Sequence, residues 1–152
     1  MDNDQAVADQ ATFSVRRSIR IDAAIEKVWR AVTVPEYISS WFGHVVLEGG
    51  AGTITWPDRY AIPLKVEAID EPRLISYRWN NDDALGSAPA ELDVATSTVF
   101  TFTLETVAEG TLLTVVESGF EATSDPVANL EFHRQGWNSE LDKLTAYVEG
   151  AA

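Results

Sequence analysis

The sequence contains no cysteine among its 152 residues, and this absence removes several kinds of chemistry at once. Thiol nucleophiles, disulfide frameworks, CxxC redox motifs and cysteine-ligated zinc sites are all excluded. Histidine is nearly as scarce: only His44 and His133 occur, and neither has a second ligand at the spacing of a zinc-protease motif. We therefore expect no metal ion in this protein, and no cofactor is implied.

Positive charge is also scarce, because 11 Lys and Arg residues face 24 Asp and Glu residues, which gives a formal net charge of −13. A chain with this balance repels phosphate backbones, so nucleic acids and anionic membranes are excluded as partners. The sequence has no run of about 18 apolar residues, the length needed to span a bilayer. The acidic start, residues 1–5, lacks the apolar region of a signal peptide. A soluble cytoplasmic protein is the expectation.

Apolar and aromatic residues are plentiful: 45% of the chain is hydrophobic, and it includes five Trp, four Tyr and six Phe. A chain of this length and composition can bury a core without disulfides or metals. We find no internal repeat, linker or low-complexity segment. We therefore predict a single domain over residues 12–150, preceded by a flexible N-terminal tail over residues 1–11, which is polar and expected to fray.

The hydrophobic periodicity predicts an α+β fold. Alternation over residues 12–21 indicates a first strand, with Arg17 expected to be solvated, and two short helices follow over residues 23–32 and 35–42. Further strand patterns occur over residues 44–79 and 98–120, and the longest polar stretch, residues 80–95, is predicted to be a loop. A long helix begins at Asp125-Pro126, with a stripe spaced by three and four residues, namely Val127, Leu130, Arg134, Trp137, Leu141, Leu144 and Val148. We expect a curved antiparallel sheet of about six to seven strands around this C-terminal helix.

Four segments resemble the START-like (SRPBCC) superfamily, in the branch named after the activator of the heat-shock chaperone ATPase. They are residues 15–33, 34–43, 110–120 and 136–144. The resemblance implies a helix-grip fold, in which the sheet holds the C-terminal helix over an apolar cavity. It also implies binding of a small hydrophobic or aromatic ligand in that cavity, and a homodimer, since members of the family are often dimers.

Two charged residues lie among apolar residues on the same predicted face of a helix or strand. Arg134 falls on the apolar stripe of the last helix, and Glu117 shares its strand parity with Leu113 and Val115. Because an unpaired buried charge costs several kcal/mol, the two are expected either to form a structural ion pair or to mark the polar end of a ligand pocket. His133 is expected to be exposed. The candidate ligand-binding residues are Trp41, Phe42, Trp56, Trp79, Phe100, Phe102, Glu117, Arg134 and Trp137.

Two other functions stay open. The first is a cyclase- or hydrolase-like enzyme acting in the same cavity, with Glu117 as a candidate acid or base. No catalytic motif supports it: there is no GxSxG elbow, and Gly49–Gly52 lacks the residues that hold phosphates. The second is a module that regulates a chaperone ATPase, with a link to the stress response. A single domain has no second module to bridge a large chaperone, so we place this function last.

Overall fold

The computed structural model describes residues 4–150. The strands are β1 (Val7–Asp9), β2 (Ser14–Ile21), β3 (His44–Glu48), β4 (Ala51–Thr55), β5 (Ile62–Asp70), β6 (Leu74–Trp79), β7 (Thr98–Val107) and β8 (Gly110–Ser118). The helices are α1 (Ile25–Thr33), α2 (Pro35–Trp41) and α3 (Pro126–Gly150). Single 3₁₀ turns occur at Val94–Thr96 and Phe120–Ala122. The element order confirms the predicted α+β class and the two short helices after the first long strand.

Within the described residues, the strands form one open antiparallel sheet in the order β1-β2-β8-β7-β6-β5-β4-β3. This is one strand more than predicted, because β1 lies in the segment expected to fray. Val7 pairs with Arg16 of β2, and the Ala6 amide donates to Asn138 Oδ1 at 2.7 Å. The prediction of a flexible tail is therefore wrong for 7–9, while residues 1–3 lie outside the described part. Three residues are too few for alternation to be detected.

Helix α3 packs across β1 and β2 and against both short helices. The predicted apolar stripe is confirmed by the buried residues Leu130, Trp137, Leu141, Leu144 and Val148. It is wrong for Val127, which lies in the first turn of α3 and is 55% exposed, and His133 is buried in place of Arg134. Counted at about 100° per residue from Leu130, the buried arc runs from about −100° at Asn129 to about +20° at Leu141. His133 falls inside this arc at about −60°, and Arg134 falls outside it at about +40°. No described helix has the apolar length that a bilayer crossing needs.

Arg17 is buried rather than solvated, with 3% of its surface exposed. Its guanidinium donates to the Asn138 carbonyl oxygen at 2.8 Å, to the Asp4 carbonyl oxygen at 2.9 Å and to Asp142 Oδ1 at 2.9 Å. These acceptors explain how a cation occupies the apolar side of β2. The arginine fixes the middle of α3 against the sheet, immediately beside Trp137.

The turn after α2 requires glycine. A Cβ atom at Gly43 would lie 2.7 Å from Ile54 Cγ1 and 3.1 Å from Trp56 Cδ2. Without that atom, the chain passes close to β4, so that Phe42 at the end of α2 meets Trp56 with ring centroids 5.1 Å apart. This contact builds one wall of the site described next.

Candidate functional site

Glu117 is the buried charge around which the site is organised. The predicted parity is confirmed, since Leu113, Val115 and Glu117 are all fully buried on one face of β8. Its Oε1 accepts from Trp137 Nε1 at 2.8 Å and contacts His133 Nδ1 at 2.7 Å. A carboxylate has about four acceptor positions, and the other oxygen uses the remaining ones.

The Oε2 atom of Glu117 accepts from Thr98 Oγ1 at 2.6 Å and from Trp79 Nε1 at 2.8 Å. These donors converge because Trp79, the last residue of β6, pairs with Thr98, the first residue of β7. On the neighbouring ladder, Phe100 pairs with Glu117 itself. All of the acceptor capacity of Glu117 is therefore used inside the protein.

Glu117 and His133 form a buried ion pair. Burial by itself raises the pKa of Glu117, but the charge and hydrogen bond of His133 and the bonds from Thr98 and Trp79 outweigh it and lower that pKa. Burial likewise lowers the pKa of His133, but the nearby carboxylates of Glu117 and Asp83 raise it to about 10. At neutral pH the imidazole is therefore a cation with both ring nitrogens protonated.

The charges continue outward from His133 in alternating sign. His133 Nε2 lies 3.2 Å from Asp83 Oδ2, and Asp83 Oδ1 accepts from Arg59 Nη2 at 2.9 Å. Burial raises the pKa of Asp83, but the nearby cations His133 and Arg59 lower it by more than burial raises it. The row runs from the fully buried Glu117 to Arg59, whose side chain is 37% exposed.

The loop that carries Asp83 is anchored to the first turns of α3. Asn129 Nδ2 donates to Asp82 Oδ1 at 2.8 Å, and Asn129 Oδ1 accepts from the Ala84 amide at 2.9 Å. Ser124 adds a bond from its hydroxyl to Asp82 at 2.7 Å. These bonds place Asp83 in front of His133.

A pocket of about 220 Å³ opens beside this row, between the sheet and α3. Its aromatic walls are Phe42, Trp56, Trp79, Phe132 and Trp137, and its polar lining is Arg59, Asn81, Asp83, His133 and Glu140, with Gly136 completing it. Phe42 stacks on Trp137 with centroids 5.6 Å apart. Phe132 is 49% exposed, which places the mouth of the pocket at its end of α3.

Three buried polar atoms that form no hydrogen bond belong to residues that line this pocket. Within residues 4–150, three buried side-chain atoms lack a hydrogen bond: Asn81 Oδ1, His133 Nε2 and Glu140 Oε1. All three residues line this pocket. Glu140 Oε1 lies 2.8 Å from Lys143 Nζ, but without hydrogen-bond geometry. Since buried polar groups are nearly always paired, these atoms can accept hydrogen bonds from, or donate them to, water or another molecule in the cavity.

The candidate residues divide into three groups. Those that line the pocket are Phe42, Trp56, Trp79 and Trp137. Trp41, Phe100 and Phe102 lie in the core below, around a void of only about 10 Å³, so the ring cluster there is filled. Glu117 lies behind the wall, where it holds the indoles of Trp79 and Trp137.

Arg134 and Glu117 do not meet, so the prediction that they share the interior is wrong. Arg134 points away from the pocket and donates to Glu131 at 2.6 and 2.9 Å on the outer side of α3. The expectation of an exposed His133 is wrong as well, since only 3% of its surface is exposed. His133 stands three residues after Leu130, a spacing that belongs to the same helix face and could have identified it.

Comparisons with known proteins agree with this architecture. The family model described as "Activator of Hsp90 ATPase homolog 1-like protein" matches residues 22–149. The solved structure of MLL2253 from Mesorhizobium loti has 26% sequence identity and a TM-score of 0.73, with 91% of this chain and 98% of that chain covered. No curated protein sequence matches the chain.

Two further structures come from proteins named U16. DynU16, a protein of the dynemicin biosynthetic locus, has 26% identity and a TM-score of 0.72, with 91% of this chain covered. The chain spans only 48% of the length of DynU16. CalU16 from Micromonospora echinospora has 20% identity and a TM-score of 0.65, with 98% of this chain and 84% of that chain covered. At this identity, the likeness to CalU16 concerns the fold alone.

Proposed function

We propose that this chain, which belongs to the Activator of Hsp90 ATPase homolog 1-like family, binds a small aromatic molecule in the pocket between its sheet and α3. The observation that carries the proposal is a cavity of about 220 Å³ walled by aromatic rings and open at one end. A dry engineered cavity of about 150 Å³ binds benzene. A molecule of one or two rings therefore matches the space.

The expected affinity is modest. A two-ring ligand has about twelve heavy atoms, and at roughly 0.5 kcal/mol per atom it gains about 6 kcal/mol. This corresponds to a dissociation constant of about 40 µM. Trp56 and Phe132 supply most of the apolar contact area, because Phe42 and Trp137 are buried and already stack on each other. The likeness to DynU16, a protein of a biosynthetic locus, supports a small molecule as the partner.

Thermal unfolding against a panel of ligands graded by size tests the proposal. At about 1 mM, a compound with the affinity above stabilises the fold by about 2 kcal/mol, which is a shift of about 4–8 °C. One- and two-ring aromatics should give this shift, and four-ring sterols, which exceed the cavity, should give none. A panel in which no one- or two-ring compound moves the transition would overturn the proposal.

A second candidate function is acid–base catalysis in the same pocket, and Glu140 is the residue that favours it. Burial raises the pKa of Glu140 more than its contacts with Lys143 and Trp56 lower it, and its carboxylate faces the cavity. Glu117, the acid or base predicted from sequence, is sealed from the cavity by its own hydrogen bonds. If a bound compound is converted, Glu140→Gln should abolish turnover and retain binding; full turnover in that variant would remove Glu140 from the reaction.

A further inference from the structure

His133 places a buried cationic donor at the wall of the pocket. Its side chain is 2% exposed, its Nδ1 is engaged by Glu117 at 2.7 Å, and its Nε2 has no hydrogen-bond partner. Asp83 Oδ2 lies 3.2 Å from Nε2 and forms an ion pair with it, but the contact does not meet the geometry of a hydrogen bond. The ring therefore has one N–H group left to offer an occupant of the cavity.

We propose that this Nε2–H group binds an uncharged carbonyl oxygen, so that the pocket selects aryl ketones and related aryl carbonyl compounds over hydrocarbons of the same shape. The inference rests on the aromatic-ligand function proposed above and assigns the chemical class of that ligand. Glu117 acts as a positioning residue, because its charge keeps both ring nitrogens protonated and its bond at Nδ1 fixes the plane of the ring.

An acceptor oxygen is favoured for a specific reason. A buried donor that makes no hydrogen bond costs about 1–3 kcal/mol. The ion pair with Asp83 offsets the charge of His133 but leaves its Nε2–H group without a hydrogen bond. A hydrocarbon in the pocket would leave His133 in that condition and would also exclude the water that could relieve it. A carbonyl oxygen removes the penalty while its aryl ring occupies the space between Trp56 and Trp137.

An uncharged acceptor is favoured over a carboxylate by the groups around His133. Asp83 lies 3.2 Å from the same nitrogen, Glu140 lines the same cavity, and Glu117 stands behind the ring. Two nearby cations are already paired: Arg59 with Asp83 at 2.9 Å and Lys143 with Glu140 at 2.8 Å. A ligand carboxylate would therefore meet like charges at short range, where the low dielectric strengthens repulsion.

Three compounds of equal size separate these interactions: acetophenone, its hydrocarbon isostere α-methylstyrene, and benzoate. The side-chain nitrogen signals of the wild-type protein, labelled with ¹⁵N, are recorded with each compound at about 90% occupancy or more. The chain has only two histidines, so His44→Gln identifies the signals of His133. Acetophenone should shift Nε2 and its proton well beyond the shift caused by α-methylstyrene, and Nδ1 should move little.

Equal shifts with acetophenone and α-methylstyrene would overturn the carbonyl assignment while leaving the aromatic pocket intact. Failure of both compounds to bind, measured by tryptophan fluorescence, would instead overturn the proposed function itself. No mutation of the buried pair is needed, so loss of folding cannot obscure the result.

A substitution at Asp83 tests the preference for an uncharged ligand. Asp83→Asn removes the negative charge nearest to Nε2 and should tighten benzoate binding, relative to α-methylstyrene binding, by roughly tenfold. Asp58→Asn removes the same charge from an exposed turn that does not line the pocket, and should change benzoate binding less than about twofold. Benzoate binding the wild-type protein more tightly than acetophenone would overturn the preference for an uncharged ligand.

Discussion

Replacing Glu117 by glutamine should destabilise the fold by about 3–5 kcal/mol at pH 6, the usual cost of removing one partner from a buried ion pair. Counting the hydrogen-bond donors around Glu117 gives a similar loss of stability. The carboxylate accepts from two indoles, a hydroxyl and an imidazolium. A glutamine amide would turn its NH₂ group toward two of these donors and leave them unpaired, at about 1–3 kcal/mol each.

The assay is urea unfolding followed by circular dichroism, with thermal unfolding beside it, where the same loss lowers the midpoint by about 10 °C. Glu131→Gln is the matched control, since Glu131 pairs with Arg134 on the exposed side of α3, the helix that carries His133. That variant should leave the unfolding midpoint almost unchanged, because an exposed pair contributes little. A Glu117→Gln protein within about 1 kcal/mol of wild type would refute the reasoning that a charged carboxylate organises the site.

Four further results are expected. Stability should peak between about pH 5 and 6.5, measured as urea midpoints against pH. The pKa of His133 is raised, so its contribution to stability is complete below about pH 6.5 and is lost toward pH 10. The pKa of Glu117 is lowered, so its contribution is complete above about pH 4.5 and is lost in acid. Gly136→Ala should stabilise the protein by about 0.5–1 kcal/mol in urea, since no atom lies within 4 Å of the new Cβ; a loss would contradict the open space. Arg134→Leu should change ligand affinity less than about twofold in a fluorescence titration, given its exposed pairing. Arg17→Met should lose about 2–4 kcal/mol in urea, because the carbonyl oxygens of Trp137 and Asn138 on α3 lose their donor.

The sequence was sufficient for the architecture because the relevant signals are local. Alternation placed β7 and β8, and the spacing of three and four residues placed α3. β1 was missed because a three-residue edge strand carries no periodic pattern, and its position depends on Asn138 and on β2, both distant along the chain.

The site was predicted only in part, for a different reason. Glu117 could be predicted because a charged residue on an apolar strand face is unusual and needs a partner in the folded protein. Its partner was misassigned, because Arg134 and His133 are adjacent on the helix and differ by about 100° in direction. The side of α3 that is buried depends on the hydrogen bonds between Asn129 and the loop before β7, and not on the apolar stripe alone.

Asp83 and Asn81 carried no signal at all. They lie in the longest polar segment, where composition indicates a loop but not what the loop faces. The anchoring of Asp82 by Asn129 and Ser124 is a tertiary feature with no local pattern. The aromatic residues divided between pocket and core for the same reason: Trp41 and Trp56 are equally apolar in sequence, and only the fold separates them.

The most direct test of the ligand pocket is a comparison of one aromatic ligand on two leucine variants of α3. Gly136 lies on the pocket-facing arc, and its Cβ position is open, so Gly136→Leu should fill the cavity without a clash. Ala146→Leu adds a similar side chain at an exposed position two turns beyond the pocket. In titrations followed by tryptophan fluorescence, we expect the first variant to lose binding at least tenfold and the second to match wild type. Undiminished binding by a folded Gly136→Leu protein would contradict the assignment of this cavity as the ligand site.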